Sequence, residues 1–134
     1  MILSMAKPNK KEIQVLLVDG NLQRRNTLSS RLRVSGFVVE AATGGFHALN
    51  LSENKTYNGI IVVEDSDDMP GREIIGLMRQ QYPDKEKLPI LYLGAKGQPE
   101  EILDFMNLGA NEFVVYTGNF QIVLEKLKQY LKVN

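Results

Sequence analysis

The 134-residue sequence predicts an α/β fold of three layers: a doubly wound, five-stranded parallel sheet in order 2-1-3-4-5 between helices. Two observations predict it. Residues 13–18, 37–41, 60–63, 90–93 and 113–116 form short apolar runs rich in Val, Ile and Leu. They hardly alternate with polar residues, as strands buried on both faces do. A helical pattern follows each run, which gives five consecutive strand–helix units joined by right-handed crossovers. No low-complexity stretch interrupts them, and the length suits one domain.

Taken in order, strand 1 ends at Asp19-Gly20. Leu28 and Leu32 then mark one face of a helix that stops at Gly36. Strand 2 leads to Thr43-Gly44-Gly45 and a helix bearing Phe46, Ala48 and Leu49, with Thr43 as the expected cap. Strand 3 runs into the acidic loop Glu64-Asp65-Ser66-Asp67-Asp68, and Ile74, Ile75, Leu77 and Met78 form the next apolar cluster. After strand 4, Pro99 suits a first helical position before Ile102, Leu103 and Met106, and Gly109 ends that helix. Phe120, Val123, Leu124, Leu127 and Leu131 form the last helical stripe, with Asn119 as its expected cap. Residues 1–12 read as a mobile tail and residues 13–134 as the folded domain, which ends with helix 5 and leaves no room for an appended DNA-binding domain.

Composition narrows the function. Sixteen basic side chains balance 16 acidic ones, so overall charge recruits neither nucleic acid nor an anionic membrane. With no cysteine, disulfides, thiolate zinc sites and cysteine nucleophiles are excluded. The single histidine, His47, rules out a multi-histidine metal site, and it is expected on an exposed helix face. The apolar start of the chain is too short for a signal core, and no run approaches the roughly 18 apolar residues of a membrane helix. The expectation is a soluble, cytoplasmic protein.

In a doubly wound sheet the functional crevice lies beyond the carboxyl ends of the strands. The residues there are Asp19-Gly20, Val63-Glu64-Asp65, Gly94-Ala95 and Tyr116-Thr117. Around them, Gly45-Phe46-His47-Ala48-Leu49, Met69-Pro70-Gly71, Leu88-Pro89-Ile90-Leu91 and Gly109-Ala110-Asn111-Glu112-Phe113 follow one another at spacings that need no gaps after Pro89. In these motifs the chain resembles the flavodoxin-like receiver domain of two-component response regulators, from about Glu12 to Lys132.

The resemblance implies a phosphorelay site, whose chemistry needs an attacking aspartate, carboxylates for Mg²⁺, a hydroxyl and a lysine. Of these, Asp19 alone stands at its family position. The second metal ligand is Gly20. Counting fifteen residues from Ala48 or six from Tyr57 puts the acceptor at Val63, whereas counting back three from Met69 gives Ser66. The loop therefore carries a three-residue insertion, with Glu64 and Asp65 the nearest acids. The hydroxyl position is Gly94, the lysine is Tyr116 and the following proline is Thr117. The expectation is a degenerate pseudo-receiver that catalyses nothing, whose crevice lacks a balancing positive charge.

Two alternatives stay open. A shifted acceptor at Asp65 would use Mg²⁺ held weakly by Asp19, Glu64 and Asp65, since closely packed acids repel one another until a cation relieves them. A small-ligand module would hold a nucleotide or flavin at the strand ends, although no Gly-x-Gly-x-x-Gly or Walker pattern is present. The ordinary reading of the acidic loop is a solvated turn with no cofactor. Phe113 matches the family's aromatic switch position and is expected to be packed and static, while Tyr116 is expected to fill the lysine's space. Through the resemblance, the face of helix 4, strand 5 and helix 5 is the expected surface for protein partners or self-association.

Overall fold

The computed structural model describes residues 12–66 and 68–133. The predicted tail, apart from Glu12, lies outside the described residues. The elements are β1 (Gln14–Val18), α1 (Leu22–Val34), β2 (Val38–Ala42), α2 (Gly45–Asn54), β3 (Gly59–Val63), α3 (Gly71–Gln81), β4 (Ile90–Gly94), α4 (Pro99–Leu108), β5 (Glu112–Val115) and α5 (Phe120–Leu131). All pairings are parallel and the sheet order is β2-β1-β3-β4-β5, as the sequence predicts.

The near-continuous apolar strands are explained by burial on both faces. Leu16, Val18, Ile60, Val62, Ile90 and Tyr92 point into one layer with Ala48 of α2, Ile74, Ile75 and Met78 of α3 and Phe105 of α4. Val15, Leu17, Ile61, Val63, Leu91, Leu93 and Val114 point into the other with Leu28 and Leu32 of α1 and Phe120, Val123 and Leu127 of α5. Each fully buried Leu, Ile or Val contributes about 1.5–3 kcal/mol of transfer free energy. Neighbouring strands end in register, with Val18 beside Ala42 and Val62, Val63 beside Leu93, and Gly94 beside Val115. That register gathers the loops after β1, β3, β4 and β5 at one end of the sheet.

A buried arginine fixes the edge of the sheet. Arg79, in the last turn of α3, donates from Nε to the Gly109 carbonyl at 2.7 Å and from Nη2 to Asn111 Oδ1 at 2.7 Å. Asn111 Oδ1 also accepts from the Ile90 N–H, so one polar cluster ties α3, β4 and the entry to β5 together. Burial pulls the Arg79 pKa down from its usual value, and these bonds offset that cost.

Candidate functional site

Asp19 follows β1 directly and is completely buried. A carboxylate in that position must be compensated. Arg24 compensates it with a fork: Nε donates to Oδ2 and Nη2 to Oδ1, both at 2.7 Å. The Asn21 N–H donates to Oδ1 at 2.9 Å, and Arg25 Nη1 donates to the Asp19 carbonyl at 2.9 Å. Arg24 Nη2 also reaches Asp65 Oδ2 at 3.2 Å. The guanidinium thus lies between the acid of β1 and the acid after β3. Its hydrogen bond to Asp19 raises its pKa further, so it stays charged.

The expectation that the crevice lacks a balancing cation is therefore overturned: Arg24 supplies one from α1, not from strand 5. The helix cap aims it. Asn21 Oδ1 accepts from the Arg24 N–H at 2.9 Å, which starts α1 one turn before the arginine pair. A sequence signal existed. Cations in a first helical turn oppose the macrodipole by about 0.3–1 kcal/mol, so Arg24-Arg25 beside an N-cap implies a nearby anion.

The loop after β3 closes over this pair. The Gly20 N–H donates to the Asp65 carbonyl at 2.6 Å. A Cβ at Gly20 would lie 2.9 Å from that carbonyl and 3.2 Å from Ser66 Cα. The loop after β3 thus occupies the place that a side chain at position 20 would take. The loop is anchored at its other end by Asp68, whose Oδ1 accepts from the Gly45 N–H at 2.8 Å and Oδ2 from the Phe46 N–H at 2.9 Å. Asp68 therefore caps α2 from 23 residues away, and the expected cap, Thr43, does not. The backbone hydrogen bond from Phe46, then that from Gly45, holds the Asp68 carboxyl below its usual pKa. The cap expected of Asn119 is present, accepting from the Gln121 N–H at 3.1 Å. His47 is exposed, as expected, and its Nδ1 accepts from the Thr43 N–H.

The remaining positions divide sharply. Val63 is buried within the α1–α5 layer and offers no chemistry. Glu64 is exposed, and its carboxylate accepts from the Ala95 N–H at 3.3 Å, linking the ends of β3 and β4. Asp65 has 62% of its side chain exposed. Gly94 has no side chain to offer, and a Cβ there would meet the Phe113 ring at 2.8 Å and Tyr92 at 3.2 Å. Phe113 is buried, 5.1 Å from the Tyr92 ring centroid and 5.2 Å from that of Phe105. Tyr116 is half-buried against the α1–α5 layer and Thr117 is exposed. Asp67 lies outside the described residues.

These residues do not fit the Mg²⁺ that the resemblance implies. Asp19 is the one buried acid among the described residues, and both its oxygens are held by Arg24. Among the described residues no three acids or histidines are grouped as a metal requires.

A doubly wound sheet with this order, and with a polar crevice at its strand ends, defines the flavodoxin-like class of α/β fold. Comparison with known proteins makes the family specific. The model of the response regulator receiver domain family matches residues 15–128, and the chain belongs to that family. It is 27% identical over 120 residues to the probable transcriptional regulatory protein SilR of Salmonella typhimurium, spanning 90% of this chain and 51% of that protein. It is 28% identical over 117 residues to the response regulator protein FleR of Pseudomonas aeruginosa, spanning 87% of this chain and 24% of that one. The chain thus spans about half of the first relative and about a quarter of the second. Among solved structures, the chemotaxis response regulator CheY4 of Vibrio cholerae is similar at a TM-score of 0.81, with 28% identity over 90% of this chain and 99% of that one. Receiver domains act in two-component signalling as modules contacting protein partners. No helix among the described residues is long and apolar enough to cross a membrane.

Proposed function

We propose that this chain is a pseudo-receiver: a cytoplasmic receiver unit, residues 13–134, that signals by protein–protein contact and is not phosphorylated. The observation that carries the reading is the Arg24 fork on Asp19. A receiver loads its phosphoryl group against a divalent cation held by buried carboxylates. Here a guanidinium that cannot be deprotonated occupies the acid's two oxygens. An acceptor, a second metal ligand, a hydroxyl and a lysine are replaced by Val63, Gly20, Gly94 and Tyr116. The module catalyses nothing, and its regulation comes from abundance, location or partner binding.

The partner-facing surface in this reading is formed by α4, β5 and α5. Leu103, Val115 and Ile122 are exposed on those three elements, apolar side chains of the kind that contacts with a protein partner or a second copy bury. The test is intact mass after incubation of the full chain with Mg²⁺ and a small phosphodonor. The expected result is an unchanged mass. Gain of one phosphoryl group, lost on Asp65→Asn, would establish Asp65 as a shifted acceptor and overturn the reading.

A further inference from the structure

A second polar site lies away from Asp19, between α3 and α4, in a pocket of about 680 Å³. Four carboxylates line it: Glu64 after β3, Glu100 and Glu101 in the first turn of α4, and Asp104 one turn on. Arg72 is the one cation in the lining, and it is already paired with Asp104. The pocket is therefore strongly acidic even after that pair is counted. Carboxylates in a first helical turn are ordinary dipole partners, so the acids alone identify no ligand.

Tyr92 is the independent observation. It lines the same pocket yet is only 5% exposed, its ring stacked on Phe105 at 4.1 Å between centroids. Its hydroxyl has no hydrogen-bond partner among the described residues, a state it shares with the less buried Tyr116, whereas the hydroxyls of Tyr57, Tyr82 and Tyr130 are bonded. Nor is it sealed from solvent, since Ser29 Oγ, on α1, is the one buried side-chain N or O atom among the described residues without a partner. A nearly buried phenol whose oxygen opens on an acidic pocket offers a fixed acceptor to a group from outside. Burial, then the charges of Glu64 and Glu101, push its pKa up to about 12, so it meets that group as a neutral hydroxyl.

We infer that this pocket receives a guanidinium or primary ammonium group, the cationic head of a basic side chain or of a free polyamine. A bare metal ion is disfavoured, because among the described residues no three acids are grouped around one point. An organic cation spreads several N–H donors over separated acceptors. The inference does not rest on the pseudo-receiver reading, since neither Arg24 nor Asp65 lines this pocket.

The test is titration of the full chain, followed by amide NMR, with N-acetyl-arginine amide in one arm and spermidine in the other. Sodium chloride matched for ionic strength is the control. The expected result is saturable movement of the Glu101, Asp104 and Phe105 signals. Tyr92→Phe, which keeps the ring, should weaken binding about three- to tenfold, the net worth of one ordinary hydrogen bond. Glu101→Gln should weaken it further at low salt. The stronger arm identifies the source of the cation. Movement that never saturates, that sodium chloride reproduces, or that Tyr92→Phe leaves unchanged would overturn the inference.

Discussion

The crevice has two flanks, and in the pseudo-receiver reading the family's groups are replaced on them in opposite ways. On the β1–β3 flank the missing parts are replaced by charge: Arg24 holds Asp19 and reaches Asp65. On the β4–β5 flank they are replaced by volume: the Phe113 ring fills the space over Gly94, against Tyr92 and Phe105. The difference follows from what each flank kept. Asp19 remained, completely buried, and a buried anion without a cation costs several kcal/mol. The hydroxyl and lysine left no charge behind, so apolar packing was enough to close their space.

The comparison breaks most visibly at Arg24. Arg24→Ala should destabilise the chain by about 2–4 kcal/mol in urea unfolding. That is less than the about 3–5 kcal/mol of a fully buried pair, because the arginine side chain is partly open to solvent. Asp19→Asn in the same background should recover part of the loss. If Arg24→Ala is neutral, the fork does not hold the β1 flank.

The other flank should respond to size rather than charge. Gly94→Thr restores the family's hydroxyl but places Cβ against the Phe113 ring, and overpacking of this kind costs about 1–3 kcal/mol. Adding Phe113→Leu should recover some of it, a coupling that a double-mutant cycle measures. Full stability in Gly94→Thr alone would mean that the ring is not set by the glycine.

The smallest effect is expected at the loop that joins the flanks. Asp68→Ala removes the cap of α2 and should cost about 1 kcal/mol at neutral pH. The folded Asp68 pKa lies below its ordinary value, so its contribution is present above that ordinary value. It fades as pH falls through the folded pKa. The stability gap between wild type and Asp68→Ala should therefore close in acid, and a pH-independent gap would show that the carboxylate charge is not what caps the helix.

The fold was legible because apolar runs buried on both faces leave a plain pattern, and each strand lies within a residue or two of its run. Gly109 and Asn119 likewise end and begin helices as local chemistry requires. At the site the sequence shows which residue types stand at the strand ends, a glycine at 20 and 94 and a valine at 63. What surrounds them was not legible. Arg24 and Asp68 act at sequence separations of five and 23 residues on partners that only the folded topology brings near. The insertion was countable, but its fold across Gly20 depends on a backbone contact that no side-chain pattern encodes.

The central claim is that this crevice carries its own cation, and a Mg²⁺ titration followed in amide spectra of the full chain tests it most directly. The account predicts that the Asn21, Arg24 and Asp65 signals stay in place through millimolar Mg²⁺. Saturable movement of those signals in the wild-type chain would show that the ion displaces Arg24, and would contradict the account.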